Sequence, residues 1–462
     1  MSERLRIVSP GDGQLLAERE RADARRVAAV LGATRGAWPP WARRPVEERV
    51  DFLSRAVDAF VARGKEIAEE ITRQMGRPLT HSPGEVRGFE ERARFMLEIA
   101  PRALAPLEPG DRPGLRRFVR REPRGVVLVI APWNYPYLTA VNAVVPALAA
   151  GNAVILRHAE QTALCAERFA ESFQEAGLPR GVFQYVHCDH EAVARMIRSP
   201  EVDQVCFTGS VAGGRAVQRA AVERFIGVNL ELGGKDPAYV REDAPLEATA
   251  EALVEGVFFN AGQSCCAVER IYVQAERMED FVEAFVAGAK RLRLGDPLDP
   301  ETTLGPLVRA RAADFVRGQI EEAVAAGARA LLDPRAFPRA AEGTPWCAPQ
   351  VLVDVHHGMR VMSEESFGPV VGIMPVSGDE EALTRMNDSD YGLSASIWTR
   401  DEEAALRLGA RLETGTVFMN RCDVLDPALA WTGVKDSGRG CSLSAMGYEP
   451  LTRPRSFHLA RP

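Results

Sequence analysis

The chain has 462 residues, 46% of them hydrophobic and 26% charged, so it can build two or three domains with sizeable cores and is not a disordered polymer. A formal charge of -7 and a pI near 5.7 give no electrostatic basis for binding nucleic acid or an anionic membrane. Lysine stands at only four positions (65, 235, 290 and 435), and the other 53 of the 57 basic residues are arginines scattered along the chain, which argues against a phosphate-binding surface.

The first six residues, Met1 to Arg6, lack the apolar core of a signal peptide, and no run of about eighteen apolar residues occurs, so neither export nor membrane insertion is expected. Eight cysteines at 165, 188, 206, 265, 266, 347, 422 and 441 show no Cys-x-x-Cys spacing, which fits reduced thiols in cytoplasm. His187-Cys188-Asp189-His190 and His356-His357 have no partner cluster at structural-zinc spacing, so no metal is expected.

Along the chain, helical periodicity fills Pro45 to Met75 and Gly84 to Ala100, and short strands then alternate with helices from Gly125 to Val240. That alternation predicts a parallel sheet covered by helices on both faces. The apolar run Gly125 to Ile130 leads into Pro132-Trp133-Asn134-Tyr135-Pro136, whose prolines are expected to stop both strand and helix and so hold Asn134 on a stiff turn. Open parallel sheets place ligands at such strand ends. There the Asn134 amide could donate to an oxyanion, or it could simply bond its own turn.

Leu156 to Glu160 is another strand-to-helix turn, and Val202 to Phe207 reads as a short buried strand. It runs into Phe207-Thr208-Gly209-Ser210, with Ser210 placed to cap a helix over Arg215 to Phe225. An anion at that N-terminus would meet free N–H groups, although an ordinary glycine-rich turn explains these residues equally well. No Gly-x-Gly-x-x-Gly follows a strand. In Leu230-Glu231-Leu232-Gly233-Gly234-Lys235, a carboxylate between leucines is open to partial desolvation, which would suit a general base; alternatively Glu231 pairs with Lys235.

A second alternating block spans Asp243 to about Thr416, with a helix from near Pro245, a strand Arg270 to Val273 and a helix Met278 to Leu292. Its first helix delivers Asn260-Ala261-Gly262-Gln263-Ser264-Cys265-Cys266. A thiol just past a Gly-Gln turn is a candidate nucleophile, but it needs local help, because a free cysteine is only a few per cent thiolate at neutral pH. The plain alternative is two small buried apolar residues. There are no internal repeats or low-complexity linkers.

Six motifs stand in one order: PWNYP at 132–136, FTGS at 207–210, ELGGK at 231–235, GQSCC at 262–266, ESFGPV at 365–370 and Gly433-Val434-Lys435-Asp436-Ser437-Gly438-Arg439-Gly440. On these the chain resembles the aldehyde dehydrogenase superfamily over roughly residues 20–460. The resemblance implies an α/β fold of two parallel-sheet domains with a small β oligomerisation arm. It assigns 1–104 and 123–232 to a cofactor-binding domain, 233–442 to a catalytic domain, and 105–122 and 443–462 to the arm of a homodimer or homotetramer.

The resemblance also implies a mechanism. Cys265 attacks an aldehyde, the Asn134 amide and the Cys265 N–H hold the thiohemiacetal oxyanion, hydride passes to nicotinamide, and Glu231 activates the water that hydrolyses the thioester. By the family spacing Cys266 is not the nucleophile.

By the same resemblance, cofactor contacts fall to Pro132, Trp133, Arg157, Glu160, Gly209, Ser210, Leu232, Glu365 and Phe367. Arg157 and His158 replace the commoner Lys and Pro of that turn. Glu160 favours NAD by hydrogen-bonding ribose hydroxyls and repelling a 2′-phosphate, while Arg157 keeps NADP possible.

Register with the motifs places Tyr135, Leu138, Thr139, Asn142, Phe259, Ser264, Leu425 and Trp431 around the substrate. The aromatic walls suit an apolar or cationic aldehyde, and Arg421 or Asp426 could read a charged tail. A coenzyme-A-acylating relative is disfavoured by the presence of Glu231. A cysteine hydrolase is disfavoured because no His motif flanks Cys265, and a silent structural or binding relative because all three catalytic side chains are kept.

Overall fold

The computed structural model describes residues 4–460. Two sheets organise it. The first runs Gly438–Arg439, Gly227–Glu231, Gln204–Thr208, Val126–Ala131, Ala153–His158, Phe183–Tyr185, parallel except for its first strand. The second runs Arg329–Ala330, Gln350–Val353, Val370–Val376, Val268–Gln274, Asp236–Val240, Ser394–Trp398, Thr416–Met419, again with only the first strand antiparallel. A link of four residues, 232–235, joins the strand Gly227–Glu231 of one to Asp236–Val240 of the other.

The central strands are continuous apolar runs because both faces are covered. Alternation along Val126–Ala131 sends Val127, Val129 and Ala131 into one core and Val126, Leu128 and Ile130 into the other. In the second sheet Ala238 and Val240 face one cluster while Tyr239 faces another. Helix Pro136–Ala149, almost wholly buried, fills the space between the first sheet and helix Pro83–Ala103.

Several elements differ from the expectations in instructive ways. The periodic stretch from Pro45 breaks at Arg63 into Val46–Ala62 and Gly64–Met75. Pro136 does not block a helix but starts one, since a residue at the first helical position has no N–H bond to lose and its φ is already set. The helix after Ser210 is Val211–Ala221, four residues earlier than its pattern suggests, because the Ser210 hydroxyl accepts from Gly213 N at 3.2 Å and thereby sets the start.

The hairpin Arg4–Val8 with Leu15–Glu20 and the helix Ala24–Ala42 were not anticipated. Their Arg- and Glu-rich strands and the Pro39-Pro40 pair inside the helix conceal them. In the ribbon of Leu115–Pro123 with Thr452–Ala460, Phe118 stacks on Phe457 at 4.6 Å. Among the described residues no helix is long and apolar enough to cross a membrane.

This topology sets up the site. The strands ending at Ala131, Thr208 and Glu231 are neighbours, and in register Thr208 faces Glu231. Their C-terminal edge meets the start of the second sheet, where Val268 pairs with Asp236 just after the cysteine loop.

Candidate active site

Helix Leu246–Phe258 ends in a left-handed turn in which Asn260, Ala261 and Gly262 have φ of 53°, 57° and 72°. Such a run is costly for non-glycine residues, roughly 1–3 kcal/mol each, and side-chain bonds hold it in place. Asn260 Nδ2 donates to the carbonyls of Gln263 and Asn134, both at 3.2 Å, and Gln263 returns a bond to Asn260 O at 3.0 Å. At Gly262 a Cβ would stand 2.3 Å from the Gly368 carbonyl, so the loop can lie against the Glu365-Ser366-Phe367-Gly368 segment only with glycine there.

The two thiols that follow differ. Cys265 is partly exposed, whereas Cys266 is buried and donates to Asp423 Oδ1 at 3.0 Å. Its bond with Cys265 and its burial push the Cys266 thiol well up, away from thiolate.

Asn134 is tied to the same loop, its Nδ2 donating to Gln263 O at 3.2 Å. Its carbonyl accepts from Asn260 and from the Arg77 guanidinium, whose Nε also reaches Asn260 Oδ1 at 3.1 Å. Arg77 forms a buried ion pair with Glu85, and Glu85 Oε1 accepts from Tyr137 N at 2.7 Å and Leu138 N at 3.3 Å, capping the helix that Pro136 begins. Neither Arg77 nor Glu85 was picked out from sequence. Nothing local marks them, because their role depends on partners about 50 to 180 residues away.

Cys265 and Glu231 line one cavity of about 450 Å³. Burial raises the Glu231 carboxyl above its ordinary value, against the smaller pull of the Thr208 hydroxyl at 3.3 Å. Lys235, the alternative partner for Glu231, is buried against Glu269 at 2.5 Å and Ser366 Oγ at 3.0 Å instead. Tyr135, Leu138, Thr139, Asn142, Phe259, Ser264, Leu425 and Trp431 all line the cavity; Asn134 is buried and is not among the lining residues.

Arg421 is exposed at the cavity, but Asp426 is not in its lining and accepts from Ala428 N at 2.8 Å in its own turn. His81, also lining, stacks on Phe259 at 4.9 Å and bonds no thiol. Arg92 and Asp423 are further lining residues that the sequence did not single out.

The residues expected around a cofactor sit on the neighbouring edge. Ser210 is exposed at its helix start, where the N–H groups of Val211 and Ala212 find no acceptor among the described residues. A Cβ on Gly209 would meet the Phe207 ring at 2.8 Å, and one on Gly214 would meet Leu232 at 2.7 Å, so the glycines let this helix close on the sheet.

Glu365 approaches Gly234 N at 3.2 Å, and its carboxyl is pushed up to about 8 by burial, with the Glu269 charge adding to the effect. Phe367 meets Trp133, the neighbour of Pro132, edge to face at 5.7 Å. Arg157 is buried with its Nε and Nη2 on the Cys188 carbonyl, and Glu160 pairs with Arg21 at 3.1 Å and Arg157 at 3.8 Å. An exposed helix N-terminus, two carboxylates and a ring pair are a set of groups that fits a dinucleotide. Among the described residues no three His, Cys, Asp or Glu side chains converge to hold a metal ion.

A parallel-sheet α/β enzyme with a cysteine and a desolvated glutamate in one cavity, beside a dinucleotide-type helix N-terminus, defines the class. The chain belongs to the aldehyde dehydrogenase family, whose pattern it matches over residues 1–457. It is 36% identical to the NAD(P)+ succinate semialdehyde dehydrogenase Sad of Escherichia coli (strain K12), covering 95% of this chain and 94% of the relative.

Its fold matches a crystal structure of the NAD-dependent aldehyde dehydrogenase from Sinorhizobium meliloti with a TM-score of 0.94 at 31% identity, covering 100% of this chain and 92% of that one. It also matches the NADP-dependent glyceraldehyde-3-phosphate dehydrogenase from Bacillus halodurans C-125, complexed with NADP, with a TM-score of 0.93 at 33% identity, covering 100% and 96%. The activity of this chain is NAD(P)-dependent oxidation of an aldehyde.

Removing the Glu85 charge tests the buried anchor. Glu85→Gln leaves Arg77 without a counter-charge and is expected to cost about 3–5 kcal/mol, read from the urea midpoint. A shift within about 0.5 kcal/mol, typical of a surface change, would remove the pair from the account.

Proposed function

We propose that Cys265 is the nucleophile of this oxidation, Asn134 an oxyanion donor and Glu231 the general base that ends each cycle by hydrolysis. The observation that carries this is the shared cavity, in which the partly exposed thiol and the desolvated carboxyl face the same space. Cys265 Sγ adds to the formyl carbon and forms a thiohemiacetal. The Cys265 N–H and the Asn134 amide, which donates only to Gln263 O among the described residues and so keeps a second N–H, stabilise the oxyanion. NAD(P), when bound, supplies the hydride acceptor.

Oxidation leaves an acyl group on Cys265 as a thioester. Glu231 then takes a proton from water as that water attacks the acyl carbon, and Cys265 departs. Hydrolysis, not transfer to coenzyme A, is supported by this carboxyl.

Pro132, Trp133, Gly209, Ser210, Leu232 and Phe367 would frame the dinucleotide, with Glu365 on the nicotinamide ribose and Glu160 on the adenosine ribose. NAD is the preferred form. Arg157 is committed to the Cys188 carbonyl, and the Glu160 carboxylate would oppose a 2′-phosphate. The division at 232/233 is supported by the two sheets except at strand Gly438–Arg439, which lies in 233–442 but pairs with the first sheet, and the ribbon Leu115–Pro123 with Thr452–Ala460 would be the arm of a homodimer or homotetramer. Eight free cysteines fit the cytoplasm.

Cys265→Ala is expected to abolish aldehyde-dependent NADH formation while NAD binding persists; retained turnover would refute the nucleophile. Glu231→Gln is expected to slow steady turnover about 100-fold or more while a first-turnover burst of NADH remains. Because the carboxyl is raised, the base forms only as pH climbs above the ordinary Glu value of about 4.3, so the acid limb of kcat lies above it. An acid limb that survives in Glu231→Gln would assign it to another group. Wild type should also prefer NAD over NADP by about tenfold in kcat/KM, the effect of roughly 1.4 kcal/mol, and Glu160→Ala should narrow that ratio. An unchanged ratio would remove Glu160 from cofactor choice.

A further inference from the structure

The cavity wall carries a buried cation, Arg92, that forms no ion pair among the described residues. Arg92, on helix Pro83–Ala103, is 9% exposed and lines the cavity beside Asn142 and Glu231. Its Nη1 donates to Leu138 O at 2.8 Å and to Asn142 Oδ1 at 3.4 Å. Its Nε and Nη2 find no acceptor, and no carboxylate lies within 4.0 Å of it, among the described residues. A guanidinium carries five N–H donors in a planar fork, so three of them remain for a ligand. Burial lowers its pKa against the smaller pull of Cys266, Glu231 and Glu85 nearby, so the charge sits there at a cost that these neighbours offset only in part.

The other charges of the wall are accounted for. Arg77 is matched by Glu85, Asp423 accepts from Ser264 Oγ and Cys266 Sγ, and Glu255 and Arg421 are exposed to solvent. The aromatic walls do not turn the cavity into a cation site. The Tyr135 ring already carries the Arg77 guanidinium at 4.5 Å, Phe259 stacks on His81, and a cationic substrate would face Arg92.

We infer that the aldehyde this enzyme oxidises bears a carboxylate at the end remote from its formyl group, held by the free N–H fork of Arg92. This rests on the reading of the Cys265 cavity as the aldehyde site. A carboxylate matches a single guanidinium in charge and in its two-oxygen geometry, whereas a phosphate dianion would leave charge unmatched.

The test compares ω-oxocarboxylates of four to six carbons with the unsubstituted alkanals and with phosphorylated aldehydes of like length, in wild type, Arg92→Gln and Arg92→Lys. Wild type should favour the oxocarboxylates over both by about 30-fold or more in kcat/KM, the lower end of what truncating a buried charge pair costs. Arg92→Gln should lose most of that preference, chiefly through KM, and Arg92→Lys should keep part of it. No preference in wild type, a preference for the phosphorylated aldehydes, or an equal loss on all substrates in Arg92→Gln would overturn the inference; the last is the result of a packing role.

A readout without turnover separates this claim from the one beneath it. Pentanoate should slow iodoacetamide alkylation of Cys265 in wild type but not in Arg92→Gln, and pentanamide in neither. If no aldehyde is oxidised yet pentanoate protects, the carboxylate site stands and the oxidation reading falls. If alkanals are oxidised but pentanoate gives no protection, the carboxylate site falls alone.

Discussion

The ion pair of Arg77 and Glu85 holds together parts of the chain that chemistry needs side by side. Two opposite charges out of water gain little net stability unless every remaining donor and acceptor is met. Here they are well met: Arg77 also serves Asn260 and the Asn134 carbonyl, and Glu85 also serves the N–H groups of Tyr137 and Leu138. One pair therefore fixes the start of helix Pro136–Ala149, the Asn134 turn and the left-handed cysteine loop relative to one another. Its contribution is positional, since hydrophobic side chains of the same volume could fill the space but could not bond three backbones at once.

Glycines bring the remaining segments within reach. A Cβ on Gly233 would stand 2.3 Å from the Glu365 carboxylate, and one on Gly234 would stand 2.6 Å from the Cys265 carbonyl. Ser437 bonds the Gly233 carbonyl at 2.7 Å, and Gly438 pairs with Glu231 across the sheet edge. The short link between the two sheets thus touches the thiol loop, the Glu365 segment and the C-terminal motif together. Motifs dispersed over 300 residues are a single packing problem, and their residue types follow from close backbone approach as much as from chemistry.

Fold class was readable because its signals are local: continuous apolar runs for doubly covered strands, helical periodicity between them, and Ser210 as a cap. The boundary errors came from residues whose meaning depends on position. Pro136 can break a helix or begin one, and Gly213-Gly214 looks like a loop until Leu232 and Phe207 are seen against it.

In the site, Cys265 and Glu231, which their motifs announced, share the cavity with the eight wall residues that register with those motifs placed there. Arg77, Glu85, Arg92 and Asp423 did not announce themselves. In a chain with 53 arginines, nothing in the sequence separates a buried guanidinium from a solvated one, and only the fold reveals which are enclosed.

The central claim is that this framework presents one particular sulfur to an aldehyde. Acid-quenching the enzyme during turnover with NAD and an aldehyde, then mapping the retained acyl mass on proteolytic peptides, addresses it directly. The acyl mass is expected on Cys265 alone. Acylation of Cys266 or Cys422, or NADH formed with no acyl-enzyme at any stage, would contradict it.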